Sequence, residues 1–311
     1  MRAAAALLAL AVASLMLGAC SAGGAAVPIP SPRPLRVMSV NQCTDQLVLM
    51  LLPPERIASV SWLSRDPGGS VMAQAAARVP ANRGTAEEVL AQRPDLVIAG
   101  SFTTPALRGM LHRIGYPVIE IDHPSSFDDI RRITRQVAAA VGAQSRGEAL
   151  LADMDRKLAD LARNPGPRLR VIAWDRGGFA AGAGSLYDAV LTAARAENLA
   201  RDPAALGGRR PDVEVLMTAN PALLVQGAAS AEAASLGDAV SRHRLVRERW
   251  GTRTLTIPQA YYVCGTPLIA DAAIRLRDEL QRYALSCRAD SCLHASARQD
   301  RHDGVVRAPV A

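Results

Sequence analysis

The sequence predicts an α/β protein: two three-layer αβα lobes with central, mainly parallel sheets, connected by a single long α-helix. Three observations predict this fold. Short apolar runs alternate with helical patterns in both halves of the chain, one unbroken amphipathic stretch separates the halves, and one sequence block recurs in each half. Strands that alternate with helices are typical of parallel βα units.

The first half contains four strand-like apolar runs and three helical patterns. We predict the strands at residues 35–40, 56–61, 95–100 and 117–121. We predict the helices at residues 43–52, which end at Pro53-Pro54, at 104–114, and at 126–141, where Ser125 or Ser126 can cap the first turn. Residues 35–142 are therefore expected to form an N-terminal lobe.

One helical pattern continues from Gln144 to Arg163 without a break. Its apolar positions recur at helical spacing, at Leu150, Leu151, Met154, Leu158 and Leu161. A helix of this length spans about 30 Å and is stopped by the run Asn164-Pro165-Gly166-Pro167. We predict a linking helix over residues 143–165.

The alternation then restarts in the second half. Strands are predicted at 169–174, 222–226 and 252–257, and helices at 185–194, 231–242 and 267–283. Residues 166–285 are therefore expected to form a C-terminal lobe. The remainder, 286–311, is polar and predicted to be a mobile tail.

The N-terminus has the pattern of an export signal. Arg2 precedes an apolar stretch from Ala3 to Leu17 that is too short to span a bilayer comfortably. The stretch ends in Leu17-Gly18-Ala19-Cys20, which resembles a bacterial lipobox and predicts a lipid on Cys20; ordinary cleavage nearby is the alternative. Residues 1–20 would then be the signal peptide and the Ala/Gly/Pro/Ser-rich residues 21–34 a flexible tether. We expect a body outside the cytoplasm that contacts the membrane only through this lipid.

The charge pattern argues against nucleic acid as a partner. The net charge is +7, but Lys157 is the single lysine and the arginines are dispersed among acidic residues. The motifs Gly-x-Ser-x-Gly, His-Glu-x-x-His and Gly-x-Gly-x-x-Gly and the phosphate loop do not occur, so we do not expect an enzyme.

Four cysteines remain if Cys20 carries the lipid. They allow three disulfide pairings, and the short spacing makes a local Cys287/Cys292 bridge plausible. Cys43 and Cys264 would then be a long-range bridge, a pair of soft-metal ligands, or two buried apolar thiols. The alternative function is accordingly an extracytoplasmic thiol-redox protein that uses Cys43/Cys264 or Cys287/Cys292. The histidines have no zinc-site spacing, so no metal site is expected.

The block from Thr85 to Gly100 recurs at Asp212 to Gly227. Each copy has a glutamate, Glu87 or Glu214, seven residues before a proline, followed by a strand-like run. The pattern predicts a short helix that ends at the proline, with the carboxylate in the first turn, where the helix dipole favours it. One such occurrence is explained equally well by helix capping, but its repetition favours a function.

At these residues the chain resembles a known family, the periplasmic substrate-binding proteins of ABC importers for iron-siderophore, haem and cobalamin. The resemblance extends over roughly residues 35–283. It rests on the 87–100 block, the 184–198 block, the linking helix and Gly265-Thr-Pro267. It implies a periplasmic protein without a cofactor that captures a metal chelate between its lobes, a ferric siderophore first and cobalamin or haem next. It also implies that Glu87 and Glu214 dock on arginines of a dimeric permease; Ala222, where the family more often has Asp, leaves this unchanged.

The family's ligands lie between the lobes, at the carboxyl ends of the strands, where open α/β sheets generally bind ligands. Flat aromatic side chains suit a macrocycle or catecholate, and arginines suit an anionic chelate. His123 is a candidate axial ligand to haem iron or cobalt, although a lone histidine before a proline is more often a turn residue. The expected cleft residues are Gln42, Cys43, Thr44, Asp45, Trp62, Arg65, Ser101, Phe102, Trp174, Arg176, Tyr187, Tyr262 and Cys264.

Overall fold

The computed structural model describes residues 36–174, 181–202, 212–228 and 242–289. Several predicted features lie outside these residues: the signal peptide with Cys20, the tether, Arg176, nearly all of the predicted helix at 231–242, and the tail beyond residue 289 with Cys292. In the described part the strands form two separate sheets, one of five strands and one of four. Every strand pair in both sheets is parallel, which confirms the predicted fold class.

The first sheet has the strand order β3-β2-β1-β4-β5. Its strands are β1 (Val37–Ser39), β2 (Ile57–Ser61), β3 (Ala81–Asn82), β4 (Leu96–Gly100) and β5 (Val118–Ile121). The helices between and after them are α1 (Gln42–Leu51), α2 (Ala73–Ala76), α3 (Ala86–Gln92), α4 (Pro105–Arg113) and α5 (Phe127–Ala140).

Both faces of this sheet are covered, which makes the lobe three layers thick. Neighbouring residues of one strand point to opposite faces, and Val97 and Ile98 of β4 accordingly belong to different core clusters. Val97 packs with Val89 of α3 and Leu111 of α4, and Ile98 packs with apolar side chains of α1 and α5.

The linking helix α6 (Gln144–Arg163) has the bounds that its hydrophobic period predicts. Leu151, Met154 and Leu161 are buried along its apolar stripe. It is tied to α5 by the ion pairs Arg131–Asp155 at 2.6 Å and Arg135–Glu148 at 2.7 Å. The helix is therefore held to α5 at Glu148 and Asp155, whereas Leu151, Met154 and Leu161 belong to the hydrophobic core of the second lobe.

The second sheet has the order β7-β6-β8-β9. Its strands are β6 (Arg170–Trp174), β7 (Glu197–Asn198), β8 (Leu223–Ala228) and β9 (Thr254–Pro258), and its helices are α7 (Leu186–Ala193), α8 (Val213–Ala219), α9 (Arg244–Trp250) and α10 (Ile269–Ala289). Ile172 packs with Leu216 and Trp250 on one face, whereas Val171 packs on the other face with side chains of α7 and α10. Lys157 of α6 joins Asp271 of α10 at 2.6 Å, so the linking helix is tied to this lobe as well.

The elements β3, β7, α9 and α10 differ from the sequence prediction. The edge strands β3 and β7 are only two residues long, too short for a hydrophobic pattern to be recognised. The helix α9 buries only Val246 and Trp250, which leaves its amphipathic stripe too sparse to predict. The helix α10 continues past the predicted end at Tyr283 to Ala289, so the predicted start of the tail at residue 286 is wrong. Buried Cys287 lies seven residues after buried Leu280 and extends the same helical stripe.

The strand order places a crossover in each sheet. The chain moves from β1 outward to β2 and β3 and then returns to β4 on the other side of β1, and in the second sheet it reverses between β6 and β8. Crevices for ligands open at the carboxyl ends of the strands at such points. No helix among the described residues is long and apolar enough to cross a membrane.

Candidate functional site

A pocket lies at the carboxyl ends of β1, β4 and β5, where the crossover predicts it. Gly265 of the second lobe contributes to its wall. The enclosed space is about 20 Å³, which is room for one water molecule, so a larger ligand would have to lie at the pocket's mouth. The lining residues are Asn41, Cys43, Thr44, Leu47, Gly100, Ser101, Phe102, Ile121, Asp122, His123, Pro124, Ile133 and Gly265.

The floor of the pocket is set by the N-terminus of α1. Asn41 is the N-cap of this helix, and its side-chain oxygen accepts hydrogen bonds from the backbone N–H groups of Cys43, at 3.0 Å, and Thr44, at 3.4 Å. A Cβ atom at Gly100 would lie 2.8 Å from Asn41 Cγ, closer than side-chain atoms approach in proteins. Glycine at the end of β4 is therefore what lets the cap lie over the neighbouring strand.

The mouth of the pocket carries two aromatic rings, those of Phe102 and His123, which we call the rim pair. Their centroids are 5.4 Å apart in an edge-to-face arrangement, and Phe102 is 75% exposed. Ser101 ties the two segments together, because its hydroxyl accepts from the His123 N–H at 3.0 Å and donates to the Ile121 carbonyl at 3.3 Å. The rim pair is thus held in place and still presents apolar surface to solvent.

A disulfide joins the two lobes at this pocket. Cys43, in the first turn of α1, is bonded to Cys264, which follows β9, and their Cα atoms are 4.9 Å apart. The structure therefore selects the long-range bridge among the alternatives that the sequence left open. Cys287 is a free, buried thiol, and Cys292, its predicted partner in a local bridge, lies outside the described residues.

The lobes also touch beside the disulfide. A Cβ atom at Gly265 would lie only 2.0 Å from Pro124 Cγ and 3.1 Å from Leu186 Cδ2. Pro124 follows β5 in the first lobe, and Leu186 begins α7 in the second. The covalent bridge and this close packing together keep the cleft narrow.

Asp45 lies outside the cleft in which the sequence placed it. It is fully buried, and its Oδ2 accepts from the Ser61 N–H at 2.9 Å and from the Ser64 hydroxyl at 2.7 Å. Burial raises the pKa of Asp45 to about 8, although these hydrogen bonds act in the opposite direction. Its position one helical turn after the N-cap turns the side chain towards β2, so Asp45 fastens α1 to the sheet.

Two further predicted residues make structural contacts. Gln42 Nε2 donates to the Gly69 carbonyl at 2.9 Å, and the exposed Arg65 donates to the Val79 carbonyl at 2.6 Å. These bonds brace the segment after β2, which presents the exposed ring of Trp62. The predicted residues that the structure gathers in one pocket are Cys43, Thr44, Ser101 and Phe102.

The second lobe contributes a tyrosine pair. The rings of Tyr187 and Tyr262 are tilted with centroids 4.5 Å apart, and both pack against the core of this lobe. Burial raises the pKa of the Tyr187 phenol above its ordinary value, and its hydroxyl finds no hydrogen-bond partner in the described ranges. Trp174 ends β6, but its side chain, like Arg176, lies outside what the structure describes.

Sequence reasoning missed Asp122, Pro124 and Gly265 as pocket residues. Residues 122–124 directly follow β5, so the rule that selected Ser101 and Phe102 after β4 applies to them too. The signal for Gly265 is weaker, since in the sequence it belongs to the segment that leads into the last helix. No cluster of three or more His, Cys, Asp or Glu side chains in the described segments is arranged to hold a metal ion.

The repeated blocks form two matching helices. Glu87 lies in the first turn of α3 and Glu214 in the first turn of α8, and each helix has seven residues. Both helices end in a left-handed residue, Arg93 with φ 44° and ψ 58° and Asn220 with φ 44° and ψ 59°. Both glutamates are exposed, and neither has a hydrogen bond or ion pair with a described residue.

Several solved structures share this fold. The periplasmic haem-binding protein from Pseudomonas aeruginosa is 22% identical, with a TM-score of 0.64, over 80% of this chain and 93% of its own. The periplasmic vitamin B12 binding protein BtuF of Vibrio cholerae is 16% identical, with a TM-score of 0.59, over 80% and 97%. An ABC-type Fe3+-hydroxamate transport system from Saccharomonospora viridis is 18% identical, with a TM-score of 0.59, over 79% and 93%. No curated protein is significantly similar in sequence.

The sequence profile of periplasmic binding proteins matches residues 37–248. This range begins at β1 and runs through the linking helix into the second lobe as far as α9. The resemblance inferred from the sequence is confirmed at this level, and the chain belongs to the periplasmic binding protein family.

Proposed function

We propose that this protein binds a metal chelate at the mouth of its interlobe cleft and delivers it to the permease of an ABC importer. The observation that carries the proposal is the rim pair, Phe102 and His123, exposed at the carboxyl ends of β4 and β5 beside the contact between the lobes. The enclosed pocket holds about 20 Å³, so the chelate would lie over these rings and against the second lobe.

Haem is the chelate that best matches these side chains, followed by cobalamin and a ferric siderophore. The His123 imidazole has no hydrogen bond to a described residue and can ligate iron, and Phe102 offers an exposed ring against which a flat macrocycle can pack. This order differs from the one based on sequence, because only the structure places His123 next to Phe102. The periplasmic haem-binding protein from Pseudomonas aeruginosa has the same fold, which supports placing haem first among the candidate chelates.

Delivery would use Glu87 and Glu214. Both carboxylates are exposed and unpaired within the described residues, and they occupy equivalent positions of α3 and α8, as expected for contacts to basic side chains of a permease dimer. Family membership implies a periplasmic location. We propose in addition that a lipid on Cys20 holds the protein at the membrane.

A thiol-redox activity is the second candidate, and the Cys43–Cys264 disulfide is the observation that favours it. Cys264 is buried, and the two cysteines come from different lobes rather than from a Cys-x-x-Cys turn. Both features hinder the thiolate attack that exchange requires. In a disulfide-exchange assay, replacing both cysteines with serine would abolish such an activity, whereas a chelate receptor would lose at most affinity.

A thermal-melt screen tests the proposal. The body lacking its first 20 residues is melted with haemin, cobalamins, ferric siderophores and free divalent metal ions. A ligand at about 100 times its Kd adds about 2.7 kcal/mol to the free energy of unfolding and raises the Tm clearly.

Matched variants locate the site. We expect haemin to raise the Tm of the wild type and of the control variant Leu285→Ala, which changes an exposed residue of α10. The rise should be much smaller in Phe102→Ala and in His123→Ala. A screen without a shift for any chelate would reject the function. An undiminished shift in both rim variants would reject the site.

A further inference from the structure

The two docking helices, α3 and α8, present more than a glutamate. Their burial is the same position by position: one buried residue at the fourth position, Val89 or Leu216, and exposed residues at the second, fifth and sixth positions. The exposed sets are Glu87, Leu90 and Ala91 on α3 and Glu214, Met217 and Thr218 on α8. A long apolar side chain therefore follows each glutamate at the same spacing.

Leu90 and Met217 are large apolar side chains that stay partly exposed in the described structure. Leu90 is 45% exposed and Met217 is 38% exposed. Each lies three residues after its glutamate, so each carboxylate and apolar side chain share one helix face about a turn apart. A single exposed apolar residue needs no explanation. Here, however, two exposed apolar residues occupy equivalent positions of a repeated helix. Each lies beside a carboxylate that is unpaired in the described chain, so the two helices present two copies of one surface.

We propose that Leu90 and Met217 are the apolar anchors of docking, and that each inserts into an equivalent apolar pocket on one half of the permease dimer. The inference rests on the proposed function. This chain carries the same surface on two helices, and a symmetric dimer carries the same binding surface on each of its two subunits. The two copies on this chain can therefore each contact one subunit of the dimer. The chemistry of that complement follows from the pair: a basic side chain for the glutamate and an apolar pocket about one helical turn away.

The two parts of each surface have separable roles. The carboxylates attract the partner over a distance and give binding a dependence on salt, because solvent-exposed charges are screened. Burial of the leucine and methionine side chains adds affinity that salt does not screen. Small neighbours, Ala91 and Thr218, leave each apolar side chain free to enter a pocket.

The test measures binding of the full-length protein to the permease complex reconstituted in lipid nanodiscs, over a series of salt concentrations. Leu90→Ser with Met217→Ser should weaken binding by about tenfold or more at every salt concentration, with an unchanged salt slope. Glu87→Gln with Glu214→Gln should weaken binding mainly at low salt and flatten the slope. The matched control is Leu285→Ser, at a 65% exposed position of α10, which should bind like the wild type.

Three results would overturn the inference. The first is that the variant Leu90→Ser with Met217→Ser binds with wild-type affinity, whereas Glu87→Gln with Glu214→Gln binds more weakly. This result would reject the apolar anchors and leave the proposed function intact. The second is an equal loss in the Leu285→Ser control. The third is binding to nanodiscs without permease that the Ser substitutions abolish, which would make lipid the occupant. If the wild type does not bind the permease at all, the proposed delivery itself fails. Unchanged melting temperatures of the variants exclude a folding defect.

Discussion

Reduction of the Cys43–Cys264 disulfide should destabilise the protein strongly. The bridge spans a sequence separation of 221 residues, from the first turn of α1 to the segment that follows β9. In the chain-entropy description, closing a loop of that length removes conformational freedom worth about 5 kcal/mol from the unfolded chain at 25 °C. Native disulfides lost from folded proteins typically lower the free energy of unfolding by about 2–5 kcal/mol, and we expect a value in this range.

The measurement is urea unfolding followed by tryptophan fluorescence, with and without a phosphine reductant. Reductant should lower the unfolding midpoint of the wild type to that of Cys43→Ser with Cys264→Ser, and should not lower the midpoint of that double variant further. The double variant keeps Cys20, Cys287 and Cys292, so it controls for reduction at any other cysteine. Hydrogen exchange should also rise in the backbone of residues 41–44 and 122–124, which meet the second lobe at the pocket.

Two outcomes would refute this reasoning. Alkylation of both Cys43 and Cys264 in the unreduced, denatured protein would show that the bridge is absent. Equal unfolding midpoints with and without reductant would show that the bridge adds no net free energy of unfolding, so that its restraint of the unfolded chain does not stabilise the protein.

Three further predictions concern individual side chains. Because burial raises the pKa of Asp45 to about 8, from 3.8, the folded protein keeps a proton that the unfolded chain has lost between these pH values. The free energy of unfolding should therefore fall with rising pH in this window, by up to about 1.4 kcal/mol per pH unit, and Asp45→Asn should flatten the fall in urea titrations at several pH values. Gly265→Ala should lower the free energy of unfolding by about 1–3 kcal/mol in the same assay, because the new Cβ would lie 2.0 Å from Pro124 Cγ. Glu87→Ala with Glu214→Ala should abolish chelate uptake into proteoliposomes and leave the haemin-induced rise in Tm unchanged.

Each of these predictions has a contrary result. If the free energy of unfolding of Asp45→Asn still falls with rising pH as steeply as that of the wild type, another group is responsible for the pH dependence. A Gly265→Ala variant as stable as the wild type would mean that the lobes separate easily at this contact. Loss of haemin binding in the glutamate variant would place the two carboxylates in ligand binding instead of docking.

Much of the fold could be predicted from local pattern. The apolar period of α6 predicted the extent of the linking helix, and Pro165 and Pro167 fixed its C-terminal end, because proline excludes any continuation. The repeated glutamate–proline block predicted α3 and α8, whose capping and left-handed ends depend on residues within each block. The edge strands could not be predicted, because two residues between loops carry no period.

The candidate site was predictable only in part. The rule that ligands bind at the carboxyl ends of strands selected Ser101 and Phe102, and it would also have selected Asp122 and Pro124. The same rule misplaced Asp45. It identifies the segment that follows a strand, but it does not say which side of the helix in that segment faces the cleft. That side depends on how α1 packs on β2, which is a tertiary contact.

The sequence by itself determined the local elements, the two-lobe order and the two exposed glutamates, since these depend on hydrophobic period, capping residues and proline positions within a few turns of one another. Only the tertiary structure decided that Cys43 pairs with Cys264, that His123 lies beside Phe102, and that Gly265 meets Pro124. Each of these contacts joins residues that are distant along the chain. Their distances are set by the packing of strands and helices, and no local pattern of residues records that packing.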